Sequence, residues 1–333
     1  MNVISGTEKE RTACGAVRDN GLPGPVIAVA GPTASGKSAL AMRLAKKFGG
    51  EIVSCDSMQI YRGMDIGTAK PTRADMAEVP HHMIDILDPD EPYSCADYAA
   101  GAKEAVDGIL ARGRLPVICG GTGLYLESLL YEHPFGDSGT DPGLRERLRE
   151  RAAGPGGADE LWEELRGIDP DAAAAIHKNN VRRVIRALEI YYSTGKTKTE
   201  IEKAGLIPRY RALVMILHIS DRVLRAGMIG ERTRRMMESG LEAETRALLA
   251  AGALAPGSTA AQAIGYKEML DCIRGLETPS AAEERISLAT RQYAKRQDSW
   301  FGGRRYGVRI EIGAGSEDPY PEAERLVSEF LRG

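Results

Sequence analysis

The sequence lacks the excess of positive charge that proteins coating nucleic acid usually have. Lysine and arginine total 44 against 47 aspartate and glutamate residues, which gives the 333-residue chain a formal net charge of −3. A charge of this sign excludes binding of a polyanion through bulk attraction. Any nucleic-acid partner would therefore have to bind at local basic segments.

The sequence also lacks the cysteine patterns of disulfide frameworks and zinc sites. Its five cysteines are odd in number and widely spaced, and they include no Cys-x-x-Cys pair, so neither kind of site is indicated. No apolar run approaches the roughly 20 residues of a membrane span, and no hydrophobic signal segment is present near the N-terminus. These absences predict a cytoplasmic protein that does not bind membranes. Residues 1–24, rich in glycine and charge, are expected to form a flexible leader.

Short apolar segments followed by glycine-containing turns and helical patterns predict an α/β fold. The composition, with 43% hydrophobic and 27% charged residues, is ordinary for a globular protein. Four buried strands are predicted, at Val26–Ala30, Glu51–Cys55, Leu115–Cys119 and Leu213–Ile219. We therefore expect a parallel sheet flanked by helices.

Between the third and fourth predicted strands, helical patterns dominate residues 141–205. This segment is interpreted as a mostly helical inserted domain. The core would then comprise residues 25–140 and 206–315, and residues 316–333 would form a C-terminal helix or tail. A long helix is predicted from about Ala281 to Trp300.

The first predicted strand leads into a phosphate-binding loop (P-loop). The eight residues match the pattern G-x-x-x-x-G-K-[ST] at every fixed position and are Gly31, Pro32, Thr33, Ala34, Ser35, Gly36, Lys37 and Ser38. Glycines allow backbone N–H groups to surround an anion at a helix N-terminus, the lysine adds a positive charge, and the Ser38 hydroxyl can bind Mg²⁺. Nucleotide hydrolases, kinases and diphosphate-using transferases all share such a loop, so the motif alone leaves the reaction open.

A carboxylate follows the second predicted strand. Asp56 lies at the carboxyl end of that strand, the edge where open α/β sheets bind their ligands. We expect Asp56 to face the bound phosphates. A magnesium-associated or helix-capping aspartate is the alternative at this stage.

From about Pro25 to Trp300 the chain resembles the tRNA dimethylallyltransferases. The resemblance depends on seven ordered blocks, which are GPTASGKS at 31–38, DSMQIYRGMDIGTAKPT at 56–72, VPHHMID at 79–85, GGTGLY at 120–125, RRVIRALE at 182–189, QAIGYKE at 262–268 and TRQYAKRQDSW at 290–300. It implies a P-loop core that transfers a prenyl group to the N6 amine of the adenosine 3′ of the anticodon.

In this family the P-loop binds dimethylallyl diphosphate, so the resemblance implies that the loop and Mg²⁺ stabilise the departing pyrophosphate. Asp56 would be the general base that accepts the N6 proton. Thr122 would position the substrates, and Arg232 would offset the charge of pyrophosphate. A solvated helix arginine is the alternative for Arg232.

The partners implied by the resemblance are the tRNA anticodon stem-loop and dimethylallyl diphosphate, with the enzyme acting as a monomer. An adenosine in an anticodon loop has to leave its stack to react, and the side chains that follow Asp56 suit contact with an extruded base. The residues predicted to contact tRNA are Asp56, Ser57, Met58, Gln59, Thr122, Arg145, Arg182, Arg183, Val184, Ile185, Arg186, Gln262, Ala263, Ile264, Gly265, Tyr266 and Lys267.

Two local segments have the positive charge that the whole chain lacks. Residues 176–200 contain six basic and two acidic residues, a net charge of +4, and residues 285–305 contain six basic and one acidic, a net charge of +5. Such segments favour salt-sensitive phosphate contacts, although each charged residue alone is equally compatible with a solvated helix face.

Two other classes of function remain open from the residues alone. A small-molecule or nucleotide kinase would use the same loop for ATP and Asp56 to activate a hydroxyl. A non-catalytic RNA-binding protein would use the loop as a structural anion site. ATP consumption without RNA favours the first, and RNA binding without product favours the second.

Overall fold

A computed structural model of the chain describes residues 21–132, 142–304, 306–313 and 318–333. The chain divides into two compact units, one comprising Met1–Leu130 with Tyr210–Gly333 and the other Tyr131–Arg209. Most of the predicted leader, residues 1–20, lies outside the described residues.

The strands lie mainly in the first unit. In chain order they are β1 (Val26–Ala30), β2 (Gly50–Ser54), β3 (His81–His82), β4 (Leu115–Gly120), β5 (Tyr131–Glu132), β6 (Ile207–Pro208), β7 (Ala212–Ile219) and β8 (Val308–Ile312). Six of them form one sheet in the order β3-β2-β4-β1-β7-β8, in which every neighbouring pair is parallel. The predicted α/β fold with a parallel sheet is confirmed.

The helices are α1 (Lys37–Phe48), α2 (Arg73–Glu78), α3 (Cys95–Ala111), α4 (Gly123–Leu130), α5 (Pro142–Ala153), α6 (Gly157–Ile168), α7 (Pro170–Ala175), α8 (Val181–Thr194), α9 (Lys198–Ala204), α10 (Arg222–Glu238), α11 (Leu241–Ala250), α12 (Tyr266–Ile273), α13 (Pro279–Gly302) and α14 (Tyr320–Arg332), with a 3₁₀ turn at Ala260–Gln262. The long helix predicted near the C-terminus is α13. Thr278 accepts a hydrogen bond from Ala281 N at 3.2 Å, and Pro279 occupies the first turn, which together fix where α13 begins.

All four predicted strands are present, with ends that differ by at most one residue. β1 is buried on both faces over all five residues, which explains why a continuous apolar run identified it. β3 and β8 were not predicted. β3 has only two residues, and β8 is an edge strand in which Arg309 and Glu311 point into solvent, so neither has a continuous apolar run.

Two apolar clusters stabilise the first unit. One joins sheet residues to α1 and α14, where Leu44 and Val327 are fully buried. The other packs the segment after β2 against α10–α13 and contains Tyr61, Tyr266 and Ile286. The second cluster is the one that connects the helices to the loops at the carboxyl edge of the sheet.

The second unit is helical. Helices α5–α8 enclose an apolar cluster that includes Leu161, Leu165 and Leu188. Its two ends are paired, since Tyr131 and Glu132 in β5 lie antiparallel to Pro208 and Ile207 in β6. Within the described residues, no helix in either unit combines the length and the apolar character that crossing a bilayer requires.

The sheet order determines which loops meet. β2, β4 and β1 are neighbours in that order, and parallel strands have their carboxyl ends at one edge. The segments after these strands begin at Cys55, Gly121 and Gly31, so they lie side by side. This edge is where an open α/β sheet binds ligands.

Near the amino-terminal end of β2, the Glu51 carboxylate is buried. The Glu51 side chain accepts hydrogen bonds from Arg112 Nη2 and His82 Nε2, both at 2.7 Å, and the residue is 5% exposed. Burial alone would raise the pKa of Glu51, but hydrogen bonds from Arg112 and His82 outweigh it and hold the pKa below its usual range.

Replacement of this carboxylate, Glu51→Gln, is expected to lower the free energy of unfolding at pH 7 by about 1–3 kcal/mol. Because the pKa is lowered by folding, this stabilisation exists above the unfolded-state pKa and disappears as the pH falls below about 4. Urea unfolding at pH 7 and at acid pH measures the difference. The exposed Glu104→Gln in α3 is the control, and a pH-independent difference would contradict the assignment.

Candidate active site

The P-loop has the conformation of an anion-binding cradle. Gly31 has φ +142°, and a Cβ there would lie 2.7 Å from the carbonyl oxygen of Leu217. Gly36 has φ +80° and is the N-cap of α1, whose first-turn N–H groups receive no side-chain cap. Both positions therefore require glycine, and the amide groups at the start of α1 are available to an anion.

Two side chains add polar groups to this cradle. The Ser35 hydroxyl is buried and has no hydrogen-bond partner in the described residues. Lys37 Nζ donates to Pro32 O at 3.3 Å. Burial lowers the pKa of Lys37 and the nearby Arg232 lowers it further, whereas Asp56 opposes that shift. Hydrogen-bond donors without a protein partner around the N-terminus of a helix favour a phosphate ligand.

The Asp56 carboxylate is held at one oxygen. Oδ1 accepts a hydrogen bond from Met58 N at 2.9 Å, and within the described residues Oδ2 accepts none. Ser57 N donates to Thr122 Oγ1 at 3.2 Å, and Thr122 N donates to Cys55 O at 3.2 Å. The segment after β2 is thus joined to the turn after β4, and one carboxylate oxygen stays available to a substrate.

Arg232 of α10 approaches the same region from the helical side. Its Nη2 donates to Thr68 O at 3.4 Å. Burial lowers its pKa and the charge of Asp56 opposes that effect, so the two charges lie near each other. An arginine remains cationic at neutral pH, and this guanidinium can therefore offset negative charge on a ligand.

Tyr293 of α13 is a site residue that the sequence did not indicate. Burial and the charge of Asp56 raise its pKa to about 12, while a hydrogen bond with the Thr122 side chain opposes the rise. Its hydroxyl therefore stays protonated at neutral pH. In the sequence, Tyr293 lies on the apolar stripe of a long helix, a pattern typical of core packing.

These groups surround one cavity of about 570 Å³ in the first unit, a volume suited to a small phosphorylated ligand. Of the predicted P-loop residues, Thr33, Lys37 and Ser38 line it. Five further predicted site residues line it, namely Asp56, Ser57, Met58, Gln59 and Arg232. Thr122 is linked to the cavity wall by the hydrogen bond that Ser57 N donates to its Oγ1. Apolar side chains, among them Met236, Ile264 and Ile286, also contribute to its wall.

The residues at this cavity fit a magnesium ion held mainly by a ligand. Among the described residues, no group of three or more histidine, cysteine, aspartate or glutamate side chains is placed to bind a metal ion. Mg²⁺ in phosphate sites commonly uses few protein ligands together with phosphate oxygens and water. The Ser38 hydroxyl at the cavity wall suits that role.

The predicted tRNA-contact residues of α8 divide into two groups. Arg182 and Arg183 are exposed and form no ion pair in the described residues, whereas Val184 and Ile185 are buried in the helical core. Arg186 and the predicted contact Arg145 both bind the buried Glu189, at 3.0 and 2.8 Å.

In the block at 262–267, Gln262 and Lys267 are exposed, and Gln262, Ala263 and Ile264 line the cavity. Gly265 and Tyr266 are buried. The Gln59 amide is occupied within the protein, because Oε1 accepts from Ser54 Oγ at 2.9 Å and Nε2 donates to the carbonyls of Thr68 and Ala69.

Glu244 of α11 holds a cavity loop in place and belongs to none of the sequence motifs. Its carboxylate accepts hydrogen bonds from three consecutive backbone N–H groups, those of Asp65, Ile66 and Gly67, at 2.9–3.2 Å. It also accepts from Tyr266 OH at 2.6 Å. A Cβ at Gly67 would lie 2.4 Å from the Tyr266 ring, so the loop packs directly on that tyrosine.

A parallel sheet with a P-loop beside a carboxylate and a buried arginine is the architecture of a phosphate-binding P-loop enzyme. A family profile described as IPP transferase matches residues 59–305, and another described as isopentenyl transferase matches residues 24–85. The chain belongs to this family, that of the tRNA dimethylallyltransferases, which are prenyltransferases. The resemblance found in the sequence is confirmed.

Two relatives illustrate the similarity in sequence. A tRNA dimethylallyltransferase of Thermoanaerobacter sp. (strain X514) is 44% identical over 311 residues, covering 92% of this chain and 98% of the relative. The tRNA dimethylallyltransferase of Bacillus subtilis (strain 168) is 46% identical over 282 residues, covering 85% and 89%.

Solved structures agree. The tRNA isopentenylpyrophosphate transferase of Bacillus halodurans has a TM-score of 0.67 at 38% identity, covering 92% of this chain and 96% of that one. A eukaryotic dimethylallyltransferase acting on tRNA has a TM-score of 0.78 at 28% identity, covering 92% and 79%.

The Glu244 contacts predict an effect on activity at a distance from the reacting groups. Glu244→Gln removes the charge that binds three N–H groups, so the loop that supplies Thr68 to Arg232 should lose its fixed position. We expect kcat/KM to fall about 10-fold, the equivalent of about 1.4 kcal/mol. Steady-state kinetics measure it. The control is Glu242→Gln on the same helix, whose side chain pairs with Arg246, and equal kcat/KM for the two variants would contradict the role.

Proposed function

We propose that this protein transfers a dimethylallyl group from dimethylallyl diphosphate to the N6 amine of the adenosine 3′ of the anticodon in tRNA. The observation that supports it most directly is that the P-loop, Asp56 and Arg232 line a single cavity in a chain of this family. In the reaction, the N6–C1 bond forms, the C1–O bond to the diphosphate breaks and pyrophosphate leaves.

The P-loop is proposed to bind the diphosphate. Amide groups at the start of α1 point to the ligand, and Lys37 and the free hydroxyl of Ser35 supply further donors. As the C1–O bond breaks, negative charge collects on the leaving oxygens, where fixed donors stabilise the transition state. Mg²⁺ bound by Ser38 would neutralise part of the same charge.

Asp56 is proposed to accept the N6 proton. Its Oδ2 has no other partner in the described residues, while Met58 N fixes Oδ1. This orientation allows the carboxylate to contact an amine at the mouth of the diphosphate site. Thr122 holds the Ser57 backbone beside it, and Tyr293 lines the same cavity.

The acceptor adenosine is proposed to enter the cavity as an extruded base. Met58, Ile264 and Met236 provide apolar surface in the wall, suited to a flat ring. Arg182 and Arg183 would then contact tRNA phosphates, since both are exposed cations. A monomeric state and a cytoplasmic location stay predictions.

The direct test is incubation of the protein with unmodified tRNA, dimethylallyl diphosphate and Mg²⁺, followed by mass spectrometry of nucleosides. We expect a mass increase on one adenosine that depends on all three components. ATP consumption without tRNA would instead support a kinase. RNA binding that ignores diphosphate and yields no product would support a non-catalytic protein.

The proposed base gives a narrower prediction. Asp56→Asn keeps the oxygen that accepts from Met58 N, so the loop should stay in place while the proton acceptor is lost. We expect kcat to fall by about 10²–10⁴ with tRNA binding retained, measured by single-turnover kinetics and a filter-binding assay.

The exposed Asp90→Asn is the matched control, because Asp90 lies outside the cavity and has no ion pair in the described residues. Turnover of Asp56→Asn equal to that of this control would reject the general-base role.

A further inference from the structure

Both polar ends of the Gln297 side chain are bound to backbone groups of different loops. Oε1 accepts a hydrogen bond from Thr33 N at 2.8 Å, and Nε2 donates to Gly121 O at 2.9 Å. The residue is 6% exposed. Since an N–H can only donate and a carbonyl can only accept, these partners fix the orientation of the amide.

The space around this amide is closed. A Cβ at Gly121 would lie 2.1 Å from Gln297 Nε2 and 3.1 Å from Gly31 O. The P-loop, the turn after β4 and helix α13 therefore meet with no room for an added methyl group. Gly121 has no positive φ, so it is this contact, and not its backbone conformation, that requires glycine.

The two loops joined by Gln297 have different proposed roles. Thr33 lies in the P-loop, four residues before Lys37. Gly121 precedes Thr122, whose Oγ1 accepts from Ser57 N beside Asp56. Three hydrogen bonds and the peptide link between Gly121 and Thr122 thus connect the diphosphate cradle, through Gln297, to the segment that contains the proposed base.

We propose that Gln297 is a positioning residue that fixes the diphosphate cradle relative to Asp56, and thereby the allylic C1 relative to its proton acceptor. This inference rests on the proposed function. A displacement of about 1 Å between reacting groups can reduce turnover by about 10², so a bridge between the two loops acts on kcat. Because Thr33 N donates its hydrogen bond to Gln297, the P-loop amides that can bind the diphosphate are those from Ala34 onward.

Other side chains at this position would not preserve the bridge. Glutamate would place a second acceptor against Gly121 O and bury a charge, and methionine keeps the shape while removing both hydrogen bonds. A purely structural role, in which Gln297 only fixes α13 to the sheet, would lower stability without a selective loss in kcat.

The experiment compares Gln297→Met with Gln292→Met, an exposed glutamine on the same helix. Steady-state kinetics with dimethylallyl diphosphate and tRNA, the thermal midpoint and pyrophosphate affinity by calorimetry are measured for each. For Gln297→Met we expect kcat to fall about 10–100-fold, with pyrophosphate affinity falling less than kcat. Gln292→Met should match the wild type. Unchanged kcat, or a loss that disappears at a temperature where the variant is fully folded, overturns the proposal.

Gly121→Ala breaks the same bridge from the other end and serves if Gln297→Met does not fold. We expect a similar loss of kcat, and a double variant no slower than the slower single one, because each change breaks the same bridge between the two loops. Additive losses overturn the proposal. If the wild type makes no prenylated tRNA, the proposed function fails, and the role of Gln297 is then tested by pyrophosphate affinity alone. Equal affinity of the wild type and Gln297→Met overturns that role, and weaker affinity in the variant supports it.

Discussion

The site depends on the close approach of backbone segments at the carboxyl edge of the parallel sheet. At Gly120, the last residue of β4, a Cβ would lie 2.0 Å from the carbonyl oxygen of Cys55, where the neighbouring strand has just ended. Gly31 approaches Leu217 O in the same way on the other side of β1. Glycine at these two positions allows the backbones of adjacent loops to approach each other where they converge on one cavity. Glycine here determines the distances between neighbouring strands, in addition to the backbone conformation of the P-loop.

This convergence places like charges together. Lys37 and Arg232 are both partly withdrawn from water, and desolvation lowers the pKa of each, with Asp56 as the nearby anion that opposes the shift. One carboxylate cannot balance two cations and the N-terminus of α1. The site is therefore electrostatically incomplete without a polyanion, and a diphosphate would restore the balance.

The sequence predicted those features of the structure whose pattern lies within a short stretch of the chain. A continuous apolar run identified β1, and fixed motif positions identified the P-loop and Asp56, because those features lie within a few neighbouring residues. Gln297, Tyr293 and Glu244 were not predicted. Each lies on an ordinary amphipathic helix, and its partners are distant in the chain: Thr33 is 264 residues from Gln297.

The predicted tRNA-contact arginines also show that the sequence alone does not reveal which partners a side chain has in the fold. Charge counting treats Arg145, Arg182, Arg183 and Arg186 alike, but two of them bind the buried Glu189. An arginine that already neutralises a buried carboxylate adds little attraction for phosphate, and its removal would leave that carboxylate unpaired.

The exposed pair Arg182 and Arg183 differs, because binding phosphate releases counterions without breaking an internal contact. Of the charge on α8, the part available to a nucleic acid is therefore smaller than the sequence suggests. Selectivity under the proposed function must then come chiefly from the shape of the cavity and the extruded base.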